Sequence, residues 1–482
     1  MRCTKFGCAL TIVTYFFLYG CINLGPDYMR PDLGVQTPPS YENATDGNRP
    51  LEVEDRWWEV FGDSELNQLV NEVLEKNLDL RQTATRLLET RARYVQVRSD
   101  RFPGINLSGS KDRRQIAGGG FRSGVIIDTY DLNVPASFEV DLWSRLAKAS
   151  KSAWADILQQ EEARRTVAQT VISEAISLYL VMESLERRLQ IAEQSIKAFR
   201  QSLKFVETRY QRGLTPVLDV RQARRVLAQA ETIVPQLEQD LGIAQQQLSV
   251  LAGRYPETHA PRKQPKDYFK QLAPVPPGLP SDLLWRRPDI RAAEAGLRSL
   301  NELIGVAKAA RFPTITLTGS YGWTSEDLNT LVRSDSVAWN LTQGIVQPIF
   351  DAGRLKAGQR AAEARYQEGV AEYMKTVLDA FADVEGALLT RERQMERRER
   401  ELKFLEEARA TQRVAQSRYI RGLVIYLDVL NAQITRFQAE DNLALVDLAI
   451  LRNRVALHRS LGGGWAEPEP VAVQEDGIFF QF

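Results

Sequence analysis

Apolar positions recur along this chain with two different periods. Ala175, Leu178, Met182, Leu185, Leu189, Ala192, Ile196, Phe199, Leu203, Val206 and Tyr210 step by three and four residues without a miss. Val220, Ala223, Leu227, Ala230, Val234, Leu237, Leu241, Ala244, Leu248 and Leu251 do the same. A sustained 3.5-residue repeat predicts a coiled-coil seam, with side chains seated between those of a neighbouring helix. From near Asp141 to Gly213 there is no proline, and no glycine before Gly213, so one long helix is expected. A helix of ~65–70 residues is roughly 100 Å long at about 1.5 Å per residue, where ordinary globular helices run ~11–12 residues. Gly213-Leu214-Thr215-Pro216 then reads as a turn, with Thr215 as N-cap and Pro216 at the first position of an antiparallel helix running to Gly253. Pro235 inside that second helix removes a backbone donor and predicts a kink.

The shorter period marks strands. Asp63 to about Arg101 is helix-compatible and halts at Phe102-Pro103-Gly104. Ile105–Gly109 and Val125–Val140 follow as β-like runs, with the turn-prone Gly118-Gly119-Gly120 between them. Thr314–Thr318 alternates strictly, as a strand with two different faces should, and Val337–Phe350 completes a second pair across the polar loop Ser325–Asp335.

The two halves of the chain are copies. Residues 209–220 read RYQRGLTPVLDV and residues 418–429 read RYIRGLVIYLDV, with eight of twelve positions identical at an offset of 209. Within one residue the same offset relates Arg101-Phe102-Pro103 to Arg311-Phe312-Pro313, Asp79 and Arg81 to Asp289 and Arg291, and Leu251–Gly253 to Leu461–Gly463. Several ordered matches at one spacing indicate a duplicated unit. Between the copies, Tyr255–Ser281 holds seven prolines and reads as an extended crossover linker. The second copy departs from its seam at Arg391–Glu401 (RERQMERRERE), which reads as a solvated helix face or as a belt contacting a partner or the linker.

Composition narrows the function. In 482 residues, 62 Lys+Arg balance 62 Asp+Glu, and 44% of positions are hydrophobic against 26% charged. That is the balance of a folded protein, and zero net charge speaks against a nucleic-acid binder. Apolar runs of ~20 residues, which a polytopic helical membrane protein needs, do not occur. Two histidines and three cysteines leave little for a zinc site or a Cys/His catalytic centre, so no metal and no cofactor are expected. HExxH, GxSxG, P-loop and CxxC motifs are lacking, and the carboxylates follow helical charge patterning, which gives a glycosidase-like pair no support.

The N-terminus carries an address. Arg2 and Lys5 precede an apolar stretch from Phe6 to Tyr19, too short to span a bilayer comfortably, which reads as a secretory signal. It ends Leu18-Tyr19-Gly20-Cys21, which resembles the bacterial lipobox, where the cysteine is acylated and becomes residue one. Cleavage there leaves 462 residues, a net charge of −2 (60 Lys+Arg against 62 Asp+Glu) and one lipidated cysteine, so no disulfide within a chain. Asn23 at the +2 position favours the outer membrane by resemblance to other lipoproteins.

Four strands near the ~9–11 residues that cross a bilayer cannot span one alone, since an open sheet in lipid leaves its edges unpaired. Spanning barrels need about eight strands, so more than one chain is required.

Several segments resemble the TolC-like outer-membrane efflux lipoproteins, the NodT-type outer-membrane factors of tripartite resistance-nodulation-division pumps. They are Cys21–Tyr28 (CINLGPDY) with Arg30-Pro31, Trp57-Trp58 with Phe61, Arg286–Glu294 (RRPDIRAAE) and Pro348–Arg354 (PIFDAGR). The resemblance spans roughly Cys21 to Gly464. It implies a mainly α fold with a small β part, in which long coiled-coil helices form a periplasmic α-barrel. Four strands per chain then contribute to a trimeric 12-stranded outer-membrane β-barrel. The organisation expected is a lipoprotein signal peptide at 1–20, an N-terminal extended segment and lipid anchor at 21–62, and a first repeat at 63–254 (helix, two strands, long helix, helix). A Pro-rich linker at 255–281, a second repeat at 282–464 and a tail at 465–482 complete it. It also implies a homotrimer, contact with outer-membrane lipid, and partnership with a periplasmic adaptor and an inner-membrane transporter of the resistance-nodulation-division type.

The function implied is a passive, gated conduit exporting drugs or toxic compounds from periplasm to exterior. Its closed end in this family lies at the periplasmic helix tips, here the two RGL turns. Tyr210, Arg212 and Asp219 map to one tip and Tyr419, Arg421 and Asp428 to the other. Under threefold symmetry an inward Asp becomes a ring of three carboxylates; in the first turn of a helix, negative charge also simply suits the dipole. Gly213 and Gly422 fit a turn conformation that other residues resist. Leu214 and Leu423 beside them read as adaptor-docking contacts or as staples of the turn. Rival readings are a protein-secretion channel, a periplasmic adaptor lipoprotein and a lipoprotein hydrolase. The duplicated hairpin, with each strand pair directly before a long helix, favours the channel over the adaptor, and the lipobox and RRPDIRAAE favour small-molecule efflux.

Overall fold

The computed structural model describes residues 23–32, 34, 38–43, 56–116, 125–262, 268, 275, 278 and 280–463. The leader, Cys21, the Gly118–Gly120 turn, much of the linker and the tail from Trp465 lie outside the described residues. In chain order the elements are α1 Ser64–Lys76, α2 Leu78–Ser99, β1 Gly104–Ile105, β2 Ser108–Ile116, β3 Val125–Val140, α3 Arg145–Gln211, α4 Val217–Glu231, α5 Ile233–Leu251, α6 Pro280–Arg286, α7 Pro288–Ala309, β4 Thr314–Ser325, β5 Val337–Val346, α8 Arg354–Ile420 and α9 Tyr426–Ser460. A 3-10 turn, Trp57–Phe61, precedes α1.

The repeat is visible residue by residue. Adding 209 to the ends of α3 gives the ends of α8, and adding 209 to Val217 and Leu251 gives the ends of α9. Adding 210 to the ends of α2 gives those of α7. One difference between the copies has a local cause. The helix expected from Pro216 to Gly253 is broken at Thr232, giving α4 and α5. Pro235 has no N–H to give the Glu231 carbonyl and its ring crowds that oxygen. The matching position in the second copy is Ala444, and α9 runs unbroken for 35 residues.

The single helix expected over Asp63–Arg101 is also two. Asn77 leaves the helical region with ψ 131°. Its Oδ1 accepts from the backbone N–H groups of Asp79 and Leu80 at 2.9 and 3.0 Å, which caps α2. Its Nδ2 donates to the Leu251 carbonyl at 2.9 Å. Arg287 takes the same place in the second copy and donates to the Ser460 carbonyl at 3.2 Å.

The chain divides into two compact units. The first comprises residues 1–34, 85–161 and 292–375 and holds the sheet. All pairings are antiparallel, in the order β2, β3, β4, β5, with β1 also on β3. β1 and β2 keep one register against β3 (Gly104 opposite Ser137, Ser108 opposite Asn133) and form one strand path interrupted at Asn106-Leu107. Asn106 lies opposite Pro135 and donates to its carbonyl at 3.0 Å, but proline has no N–H to return. Five strand segments thus make the four expected paths. In the same unit the N-terminal stretch is fastened to α7: Arg30 pairs with Glu294, and Asn301 Nδ2 donates to the Pro26 carbonyl at 3.0 Å. Burial alone raises the Glu294 carboxyl, but the bonds and charges of Arg30 and Arg298 outweigh it and hold the group below the usual carboxylate range.

The second unit comprises residues 35–84, 162–291 and 376–482. The heptad seam supplies part of its core, beside a larger cluster in which Trp57, Trp58 and Phe61 pack with Leu66, Val70, Ile172 and Ile176. Leu185, Leu189 and Ala192 of α3 pack with Leu237, Leu241 and Ala244 of α5. Further along, Ile196, Phe199 and Val206 meet Val220, Ala223 and Ala230, together with Val429, Leu430 and Phe437 of α9. Tyr210 departs from the seam pattern: it is 46% exposed, one residue before α3 ends. The linker is clasped onto this unit. Asp63, the N-cap of α1, accepts hydroxyls from Tyr268 at 2.6 Å and Tyr179 at 2.9 Å. Arg262 reaches Glu183 at 2.5 Å and Glu186 at 2.9 Å, both on α3. Burial first, then the bond to Asp63, pushes the Tyr268 hydroxyl far up.

Candidate functional site: paired helix turns and a two-faced sheet

α3 and α8 end in the same way. Gly213 N–H donates to the Tyr210 carbonyl and Leu214 N–H to Arg209, both at 2.9 Å. Gly422 N–H donates to Tyr419 at 2.9 Å and Leu423 N–H to Arg418 at 3.0 Å. This pair of bonds closes a helix only if the penultimate residue is left-handed, and φ is +71° at Gly213 and +74° at Gly422. A Cβ on either glycine meets no atom within 4 Å. Glycine is therefore required by the backbone alone and not by crowding.

Just past the first turn, Pro216 is the residue before the helix and not its first position (φ −74°, ψ 157°), and its carbonyl accepts from Asp219 N–H at 3.2 Å. Thr215 is not the cap either, because its hydroxyl is turned as a donor onto the Asp219 carboxylate. Ile425 takes the place of Pro216 at the second turn, and its carbonyl accepts from Asp428 N–H at 3.2 Å. Both aspartates thus sit in the first turn of a helix, where their charge suits the N-terminal dipole.

The two tips differ in their side chains. Tyr210 is exposed, whereas its counterpart Tyr419 is buried. The Arg209 guanidinium lies 5.1 Å from the Tyr419 ring centre and 5.9 Å from that of Phe205, so one tip lays a cation over an aromatic ring of the other. Tyr419 tilts against Tyr426 at 5.5 Å, and the Tyr426 hydroxyl pairs with the Ser202 hydroxyl at 2.9 Å. Burial first, then the charges of Tyr419 and Asp219, raises the Tyr426 hydroxyl against the opposing Ser202 bond. Around this cluster the tips present Leu214 and Leu423 to solvent at 59% and 66% exposure. Arg212, Arg421 and Asp428 are exposed too, outside the aromatic cluster.

Sequence reasoning brought Tyr419 to this site but missed Arg209, Ser202 and Tyr426. A signal for Arg209 existed, since it opens the repeated RYxRGL segment and matches Arg418. At the charged Arg391–Glu401 stretch, both readings hold in part. Arg391 Nη1 reaches the linker carbonyl of Val275 at 3.5 Å, and Arg398 Nε donates to Asp447 at 2.7 Å. Arg393, Glu396 and Arg400 pair with one another at the exposed surface.

The sheet in the first unit has two unlike faces. Its register stacks Leu132–Trp323–Val337, Val134–Tyr321–Trp339, Ala136–Gly319–Leu341, Phe138–Leu317–Gln343 and Val140–Ile315–Ile345 as five rows on one face. Gln343 is the one amide among them. The opposite face carries Pro135–Ser320–Asn340, Ser137–Thr318–Thr342 and Glu139–Thr316–Gly344. Polar contacts continue along it, with Thr324 donating to Asp131 at 2.8 Å and Asn340 to Ser320 at 3.0 Å. The apolar face lies open to solvent in the single chain, with Trp339, Leu341 and Ile345 exposed at 74%, 64% and 71%.

Both ends of the apolar band are marked by aromatic rings. Tyr321, Trp323 and Trp339 stand at one end, and beyond them, in the same face, Lys111 lies 5.1 Å from the Tyr130 ring and Arg113 lies 3.6 Å from Asp128. Past the other end Trp143 and Phe312 meet at 5.0 Å. Five rows span eight residue steps, about 26 Å along the strand at ~3.3 Å per step. Among the described residues no helix is long and apolar enough to cross a membrane, and no group of three or more His, Cys, Asp or Glu could hold a metal.

Residues 69–254 and 279–463 match the family model described as outer membrane efflux protein. The chain is 33% identical over 466 residues to the probable outer membrane lipoprotein SilC of Salmonella typhimurium, covering 95% of this chain and 99% of SilC. It is also 33% identical over 468 residues to the solvent efflux pump outer membrane protein SrpC of Pseudomonas putida, covering 95% and 98%. Among solved structures, the outer-membrane channel OprN superposes with a TM-score of 0.86 at 31% identity, covering 92% of this chain and 99% of that one.

Proposed function

The chain belongs to the outer membrane efflux protein family, and from that premise we propose how its parts carry out export. It is an outer-membrane channel for efflux. The observation that carries the reading is the sheet: one face is apolar over five rows, within the ~9–11 residues of a tilted spanning strand, and the other is lined with hydroxyls, amides and carboxylates. The lipid-facing band of a membrane barrel is bounded by aromatic girdles and backed by a polar lumen. Backbone groups at a sheet edge cannot face lipid unpaired. Among the described residues β2 and β5 each pair on one side only, so other copies must complete the wall. Three chains with four strand paths each give the twelve strands of the proposed homotrimer.

The apolar face then meets the lipid, and the Ser, Thr and Asn face lines the conduit. Cys21 carries the lipid anchor, and the Asn23–Asp32 stretch fastened to α7 connects that anchor to the barrel unit. The paired turns form the periplasmic closure. Arg209 on Tyr419 and Ser202 on Tyr426 tie the two turns of one chain together, so opening the end of the conduit requires breaking or sliding these contacts. Tyr210, Arg212, Arg421, Asp219 and Asp428 surround the closure and set its charge. Exposed Leu214 and Leu423 on the glycine turns offer small apolar knobs to a periplasmic adaptor, which links the channel to an inner-membrane transporter of the resistance-nodulation-division type. No step of this scheme needs a catalytic group; the chain acts as a passive conduit for small toxic molecules. Crosslinking in intact cells, followed by membrane fractionation and mass spectrometry, tests the assembly. A trimer in the outer-membrane fraction joined to an adaptor and a transporter is the expected result; a monomer released into the periplasm overturns it.

A further inference from the structure

Beside the break between α4 and α5 the second unit contains a cavity of about 200 Å³, walled by α3, α4, α5 and α9. Its floor is Ala192, Phe199, Val226, Ala230 and Phe437, all buried. Phe199 and Phe437 meet edge to face at 5.2 Å. Ile233, the first residue of α5, stands at the rim and is 47% exposed. Gln229, Gln438 and Asn442 bring amides to its wall, whereas the other polar side chains are engaged elsewhere. Arg188 donates to both oxygens of Asp441 at 2.7 and 3.1 Å. Ser195 Oγ donates to the Ile191 carbonyl at 2.7 Å.

A local cause leaves the space open: two of the seam positions that line it, Ala192 and Ala230, carry small side chains. Protein interiors hold few voids larger than a water molecule. An apolar cavity of about 150 Å³ accepts benzene. A mostly apolar lining with a few polar groups at its edge is the usual form of a small-molecule site.

We propose that this cavity is a binding site for a single-ring aromatic molecule of benzene or toluene size, held in the wall of the helical unit against the edge-to-face pair of Phe199 and Phe437. Aromatic rings favour the edge-to-face and offset arrangements that these two side chains offer. The guest's contacts join α3, α4 and α9 across the break, so occupancy stabilises the packing of the two hairpins. The site does not depend on whether the chain conducts.

The test uses the purified full-length protein in detergent, with bromobenzene as the probe and Ala230→Leu as the filled variant. Crystals soaked in bromobenzene should show a bromine anomalous peak in the cavity beside Phe199 and Phe437. Thermal unfolding in solution should shift upward saturably with bromobenzene, and the concentration for half the shift should rise at least tenfold in Ala230→Leu. Ala192→Val, a smaller filling, serves where Ala230→Leu does not fold, and should weaken the same response. Absence of the peak, a shift that never saturates, or equal shifts in wild type and filled variants each overturn the proposal. So does a peak in crystals with no saturable shift in solution, which is binding at crystal concentration only.

Discussion

Leu341 lies in the middle row of the five that make up the apolar face, with Gly319 and Ala136 beside it. Thr342 is the next residue on the same strand, opposite Thr318, and faces the other way. Replacing each by Arg compares lipid with lumen at one depth and one edge strand. An Arg at the bilayer midplane of a β-barrel costs ~2–4 kcal/mol, and near the interface ~0–1 kcal/mol. With a tenfold change per ~1.4 kcal/mol, Leu341→Arg should lower the folded-to-unfolded ratio about 30- to 700-fold. Gly319 beside it adds no shielding side chain, so the guanidinium cannot be covered from within the sheet. Thr342→Arg should stay close to wild type, because the polar face already carries Asp131, Glu139 and Asn340.

The row position gives a second, graded expectation. Val337→Arg, two rows from the middle at the aromatic end, should cost no more than about 1 kcal/mol. The assay is refolding of the urea-unfolded chain into phospholipid vesicles, with the folded fraction read from tryptophan fluorescence and from gel mobility without heating. The order expected is Leu341→Arg far below Val337→Arg, and Val337→Arg close to Thr342→Arg and wild type. Equal losses for Leu341→Arg and Thr342→Arg, or a worse result for Thr342→Arg, would refute the assignment of the two faces.

Gly213→Ala and Gly422→Ala should each destabilise their turn by ~1–2 kcal/mol, the cost of a left-handed residue with a Cβ, seen as faster amide exchange confined to the tips. Gly253→Ala should cost more, because φ is also positive there and the new Cβ would stand 2.6 Å from the Lys76 carbonyl oxygen. Arg209→Met removes a cation–π contact worth ~0.5–2 kcal/mol and should make cells more permeable to a large antibiotic, with Arg209→Lys intermediate; unchanged susceptibility for Met argues against Arg209 on Tyr419 holding the periplasmic end closed. Pro235→Ala should fuse α4 and α5, as Ala444 permits in α9, and should raise exchange protection across Thr232–Val234. His458, stacked on Trp57 at 4.6 Å, is lowered from 6.5 to about 3 by burial first and by Arg454 second. Its unfolded form binds the proton more readily, so its contribution is complete above pH 6.5 and is lost as pH falls toward 3; each unit in that window costs at most ~1.4 kcal/mol per chain. His458→Phe should flatten the acid limb of the Tm profile between pH 6.5 and 4.

What could be read from the chain alone depended on how far a residue acts along it. The heptads were legible because a helix seam is periodic in sequence, and Leu185, Leu189 and Ala192 are buried where the period puts them. Pro235 was legible for the same reason, since a missing N–H acts four residues away. Tyr210 was misread as a seam residue because the period cannot see that the helix unwinds at the next turn. Thr215 was misread as a cap because its hydroxyl had a nearer partner in Asp219. The strand alternation was plain only at Thr314–Thr318. Elsewhere a face exists only through the register, which sets Leu132, 191 residues away in sequence, beside Trp323. The contact between Arg209 and Tyr419 spans 210 positions, and neither residue's neighbours announce the other. The duplication narrows this gap: α3 and α8 are each 67 residues long and close in the same kind of glycine turn. That repeat makes the two tips meet, and the differences between the copies, Pro235 for Ala444 and an exposed Tyr210 for a buried Tyr419, then decide what each half does.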